Sequence, residues 1–137
     1  MNNNPDFTLQ TPDGVTATLQ DKWQYLDLIP LAELIGSKFS FINQMLSKAA
    51  AGPPDHWFLN FSSAVGDPAK KGEIAESHWI AVGGHSDFIG KFVQGMNVTL
   101  RRKFQWGIKT RYGVIAMDYP ELPKDSDLIA WLISTNM

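Results

Sequence analysis

Cysteine is absent from this 137-residue chain. Without thiols there are no disulfides, no nucleophilic cysteine and no cysteine-ligated zinc, although the compartment stays open. Long apolar runs are missing too, and none approaches the ~20 residues a helix needs to span a bilayer. The opening Met1-Asn2-Asn3-Asn4-Pro5 lacks the basic start and apolar stretch of a secretory signal. Charge is nearly balanced: 12 Lys and Arg stand against 14 Asp and Glu, for a net −2. Phosphate neutralisation needs a concentrated basic surface, so nucleic-acid binding is disfavoured. The one basic cluster, Arg101-Arg102-Lys103, reads as a solvated helix end.

Several catalytic signatures are also missing. Ser62-Ser63 is not set in a G-x-S-x-G elbow, and Gly83-Gly84 lacks the lysine and spacing of a phosphate loop. His56, His78 and His85 have spacings that fit no metal-ligand pattern, so neither a metal nor another cofactor is expected. The sequons at Asn60 and Asn97 fall in an expected buried strand and an expected helix, and read as chance.

What is present builds a core. The composition is 44% hydrophobic and 12% aromatic, enough for one domain of about 100–150 residues. Phe7 to Gln10 and Val15 to Gln20 are β-like pieces around Thr11-Pro12-Asp13-Gly14, a hairpin turn signal. In the second piece Val15, Ala17 and Leu19 alternate with Thr16, Thr18 and Gln20. From Trp23 to Ala51 the apolar spacing turns helical, and Pro30 and Gly36-Ser37 are expected to divide it into two helices. Gly52-Pro53-Pro54 ends that region.

His56 to Phe61 reads as a second strand. Residues 69–85 read as a long loop with a short element near Ile74 to Ala81, and loops of that length tend to be functional. Trp79 in that loop is a candidate rim or membrane-contact aromatic. Ser86-Asp87 reads as the start of a helix whose apolar face is Phe88, Ile89, Phe92, Val93, Met96 and Leu100. A last strand over Arg111 to Met117 and a helix over Ser126 to Ser134 close the chain. Strands alternating with helices imply a parallel α/β sheet. Val114 to Met117 is a continuous apolar run, which suits a strand covered on both faces. Pro120 then stops the ladder. Asp118 therefore sits at the carboxyl end of a strand, the edge where α/β folds place their chemistry.

Four landmarks stand in fixed order: Gln20-Asp21-Lys22-Trp23, L-N-F-S-S at 59–63, G-M-N at 95–97 and G-V-I-A-M-D-Y-P at 113–120. The series resembles the second half of phosphatidylinositol-specific phospholipase C-like phosphodiesterases of the bacterial and fungal type, from about Val15 to Asn136. The family fold is a TIM-type barrel, which takes at least ~200 residues. The resemblance thus implies a partial (β/α) barrel: residues 1–14 a tail and hairpin start, residues 15–137 the C-terminal half.

What it implies chemically is a phosphoric diester hydrolase of lipid metabolism, acting on a phosphoinositide or a related phosphodiester. In the family two histidines and an arginine from the first half act as base, acid and charge stabiliser, and His56, His78 and His85 lie in the wrong segments to be those. Alone, this half is expected to be inactive. Asp118 matches the family's strand-end aspartate, which orients the basic imidazole; a simple Asx turn into Pro120 is the plainer alternative. Asp21 and Trp23 match an inositol-binding pair, a carboxylate for ring hydroxyls and an aromatic face for the ring. Trp23 stands where the family commonly has Tyr. The alternative is that Asp21 caps a helix and Trp23 packs in the core. Two other readings stay open: a non-enzymatic half-barrel that associates with itself or with a separate N-terminal chain, and an unrelated small α/β binding protein. Complete relatives are often secreted, but this chain does not settle its own location.

Overall fold

The Pro-Asp-Gly turn closes the hairpin that the sequence predicts. Phe7–Gln10 (β1) pairs antiparallel with Thr16–Gln20 (β2), Phe7 opposite Leu19 and Gln10 opposite Thr16. This is a computed structural model, and it describes residues 3–25, 30–66, 76–86 and 89–136. The remaining elements follow in order: Gln24–Tyr25 (β3), Leu31–Ala51 (α1), Trp57–Phe61 (β4), Val65–Gly66 (β5), Ser77–Val82 (α2), Gly83–Ser86 (β6), Lys91–Gln94 (β7), Met96–Lys103 (α3), Val114–Ala116 (β8) and, after a 3-10 turn at Lys124–Ser126, Leu128–Ser134 (α4).

The main sheet runs β1-β2-β4-β8, with β2, β4 and β8 mutually parallel. That agrees with the α/β alternation read from the sequence. Two small pairs flank it, β3 with β5 in parallel and β6 with β7 antiparallel. The largest core cluster joins Leu31, Leu34, Ile35 and Ile42 of α1 to Met96, Leu100, Phe104 and Leu128.

Three expectations need correction. First, α1 is a single helix: Pro30 precedes it, but Gly36-Ser37 does not divide it. A glycine inside a helix costs about 1 kcal/mol. Burial of Leu34, Ile35, Ile42, Met45 and Leu46 on one stripe outweighs that, at about 1.5–3 kcal/mol per large side chain. The start of the expected helix is instead strand β3 at Gln24–Tyr25, and residues 26–29 lie outside the described residues.

Second, no helix starts at Ser86. A β6–β7 hairpin occupies 83–94, and α3 begins only at Met96. Phe92, expected on the buried face, is 65% exposed, whereas Val93, Met96 and Leu100 are buried; Phe88 lies outside the described residues. Apolar residues spaced i, i+1, i+4 satisfied a helical template that a strand followed by a helix satisfies equally well.

Third, β8 is not covered on both faces. It is the edge of the sheet, shorter than the expected 111–117, and Val114 is exposed. Its start is fixed by Gly113 at φ +74°, where a Cβ would stand 2.4 Å from the Phe58 carbonyl oxygen. Only glycine fits that combination of left-handed backbone and close approach.

Arg111 ties the amino end of β8 to the end of α1. Its guanidinium donates to the carbonyl oxygens of Ala49 (3.0 Å), Gly52 (2.7 Å), Pro54 and His56 (both 3.3 Å). These include C-terminal carbonyls that a helix leaves unsatisfied. The sequons fall as expected: Asn60 is buried in β4 and Asn97 in α3.

Candidate active-site cleft

β2, β4 and β8 run the same way, so their carboxyl ends open on one edge. There a cleft of about 210 Å³ is lined by Asp21, Trp23, Phe61, Ser63, Ala64, Val65, Ser77 and Asp118. The three residues singled out in the sequence, Asp21 and Trp23 after β2 and Asp118 after β8, therefore line one space. Asp21 is buried, while Trp23 and Asp118 are half-buried. Asp21 does not cap α1, which starts ten positions later at Leu31 behind Pro30.

Buried polar bonds behind the sheet set where these side chains stand. The Gln20 amide nitrogen donates to Asn60 Oδ1 (2.8 Å) and to the Phe61 carbonyl (2.9 Å), locking β2 to β4. Asn60 in turn donates to the Ile42 carbonyl of α1 at 2.9 Å. Gln20 Oε1 accepts from the Lys22 backbone N–H (2.8 Å) and from Lys38 Nζ (3.0 Å). Lys38 Nζ also donates to the Lys22 carbonyl. The segment from Gln20 to Trp23 is thus held from behind at three points. Asp21 and Trp23 project from it, and the Val65 N–H closes the front by donating to the Trp23 carbonyl at 2.8 Å.

Lys38 is fully buried. Burial pushes its amine down to about 7; the Asp21 carboxylate pulls it back up, the Lys22 charge pushes it further down, and the Asp118 carboxylate raises it. Both acids of the cleft are therefore electrostatically coupled to one buried amine, whose two oxygen acceptors offset part of its desolvation.

The loop after β8 is fixed from α3. Asn97 Nδ2 donates to the carbonyls of Asp118 (3.2 Å), Tyr119 (2.8 Å) and Leu122 (2.9 Å). That bonding accompanies a left-handed Tyr119, φ +47°, which turns the chain directly after Asp118. The Trp23 indole Nε1 is buried and has no hydrogen-bond partner among the described residues.

Sequence reasoning missed Lys38 and Ser77, and it used Ser63 and Asn97 as landmarks without a role. For Lys38 a signal existed: it occupies the stripe of Leu31, Leu34, Ile35, Ile42 and Met45, where a lysine is out of place unless it is bonded. The histidines lie apart. His56 Nε2 bonds Thr18 Oγ1 (2.7 Å) at the far end of β4, His78 packs edge-on to Tyr119 from α2, and His85 is in β6. No group of three or more metal-binding side chains occurs among the described residues. None of the described helices is long and apolar enough to cross a membrane. Trp79 is 37% exposed on α2 and packs beside Gly84.

The fold is similar to part of solved phospholipase structures. A mutant of phosphatidylinositol-specific phospholipase C from Staphylococcus aureus superposes with a TM-score of 0.67 at 18% identity, over 100% of this chain and 39% of the enzyme. A pentafluoro-phenylalanine form of the same enzyme gives 0.66 at 18% identity with the same coverage. The chain thus spans 39% of the length of the phospholipases it matches. No protein-family model matches the chain, and no curated protein matches its sequence.

Proposed function

We infer that this chain is the C-terminal half of a (β/α) barrel of the phosphatidylinositol-specific phospholipase C type, and that its cleft takes the ring of an inositol phosphodiester. The observation that carries this reading is the convergence of Asp21, Trp23 and Asp118 on one cleft at the carboxyl ends of parallel strands. Asp21 accepts hydrogen bonds from vicinal ring hydroxyls, and Trp23 offers its face to the ring. Asp118 holds an imidazole in the tautomer that can take a proton and stabilises the imidazolium formed.

In the complete barrel the reaction is attack by the inositol 2-hydroxyl on the neighbouring phosphorus. The base removes the hydroxyl proton, the new P–O bond closes a cyclic phosphate, and the displaced alkoxide leaves with a proton from the acid. The base, the acid and the arginine come from the first half, so this half alone is inactive in lipid metabolism. A second reading, a non-enzymatic half-barrel module, is favoured by the sheet face opposite α1, where Leu9, Trp57 and Val114 are exposed.

The test is a fusion in one chain. The part of the S. aureus enzyme outside the match is joined ahead of residue 1, and cleavage of phosphatidylinositol vesicles is measured. Turnover is expected from the fusion and none from the 137-residue chain; Asp118→Asn in the fusion lowers kcat by about 10²–10⁴-fold. Turnover by the isolated chain, or a fusion indifferent to Asp118→Asn, overturns the assignment.

A further inference from the structure

The cations of this chain are segregated. Between Asp87 and Asp118 there is no acidic residue, yet Lys91, Arg101, Arg102, Lys103, Lys109 and Arg111 supply six of its 12 Lys and Arg. A segment of one sign sets up a positive field in a slightly acidic protein. Two of these cations open on a cavity of about 480 Å³ between β7, α3 and the 3-10 turn, against about 210 Å³ for the active-site cleft. Strand and helix periods aim its lining. Val93 of β7 is buried in the core, so Phe92 and Gln94 point the other way, into the cavity. Met96, Asn97 and Leu100 are the buried side of α3, while Val98, Arg101 and Arg102, spaced three and four apart, form the side that lines the cavity. The base is rigid: a Cβ at Gly95 would stand 2.4 Å from the Ala81 carbonyl oxygen, so the end of α2 and the start of α3 touch backbone to backbone.

These residues supply the parts of a carboxylate site. Arg101 is stacked on the Trp131 ring, 3.5 Å from its centre, which steadies the guanidinium and leaves its in-plane N–H groups to donate. Neither Arg101 nor Arg102 pairs with a carboxylate among the described residues. Phe92, 65% exposed at the rim, joins Val98 and Pro123 as apolar contact for a ligand body. Asp125 stands on the same wall and repels a second negative charge, which disfavours a dianion. We propose that this cavity is a second binding site, for a small organic monoanion: a carboxylate on an aromatic or aliphatic body, its head held by Arg101 and Arg102. The cavity shares no lining residue with the active-site cleft. Its charges line a concave wall, which suits a soluble ligand; a flat anionic bilayer meets protruding residues instead.

The experiment is an amide chemical-shift titration of the 137-residue chain with 4-phenylbutyrate as the probe. Saturable shifts are expected around residues 82, 92, 94, 98, 101, 102 and 125, with a dissociation constant of about 1 mM or tighter. Arg102→Gln and Phe92→Ser change exposed side chains, so the rest of the spectrum stays native, and each should weaken binding at least about tenfold. The uncharged 4-phenylbutanol, with the same body, should also bind at least about tenfold more weakly. No saturable shift, equal binding of the alcohol, or indifference to Arg102→Gln overturns the proposal. So does Arg102-dependent sedimentation with phosphatidylglycerol vesicles while phenylbutyrate causes no shift, which would make a lipid surface the occupant. Inositol binding is read at the cleft and carboxylate binding here, so the two readings fail separately.

Discussion

Lys38→Met keeps the length of a buried side chain and removes its charge. In the folded protein the amine sits near 7, well below its ordinary 10.5, because burial disfavours the ammonium. Between those values the unfolded chain holds the extra proton, so stability rises as pH rises through that window. It levels off above 10.5, and below 7 the full penalty is present. From pH 7 to pH 9 the linkage gives a gain of about 2 kcal/mol. Solvent screening does not reduce this, because Lys38 is fully buried. The methionine variant lacks the group, so wild-type stability minus variant stability should climb by about 2 kcal/mol over that range. Groups that titrate in both proteins cancel in the difference. The assay is urea unfolding followed by tryptophan fluorescence at pH 7, 8 and 9. Parallel stability profiles for the two proteins would refute the assignment of Lys38 as a depressed, buried amine.

Other substitutions probe the supports of the cleft. Asn97→Asp replaces the amide that donates to three carbonyls of the 118–122 loop with an acceptor, and should cost about 2–4 kcal/mol in urea unfolding. Arg111→Lys cannot span the four carbonyls at the end of α1; it should cost about 1–3 kcal/mol, read as a lower thermal midpoint, with no change in ligand binding at the opposite end of the sheet.

The sheet was legible because its signals are local. The Pro-Asp-Gly turn, the alternation in Val15 to Gln20 and the aromatic strand at 57–61 each specify themselves, and Asp118 follows from a strand stopped by proline. The α1 stripe was legible as helix but not its continuity, since Gly36 is a local breaker outweighed by tertiary burial. The β6–β7 hairpin was lost because its four-residue strands carry no period long enough to read. The polar side of β2 misleads most: Thr18 and Gln20 are buried towards α1, while Leu19 is only half-buried and Leu9 on the same face is exposed. For Gln20 that inversion follows from Lys38 and Asn60, which bond it behind the sheet, and for Thr18 from its bonds to Thr8 and His56. A pattern rule that sends apolar residues inward cannot foresee it.

The convergence of the β2, β4 and β8 ends into a polyol-binding cleft is best tested by an amide chemical-shift titration of the chain with myo-inositol. Saturable shifts should cluster at 21–23, 61–65, 77 and 118–119, and vanish in Asp21→Asn. Shifts confined to the opposite end of the sheet, around 54–58 and 111–114, or no shifts at all, would contradict it.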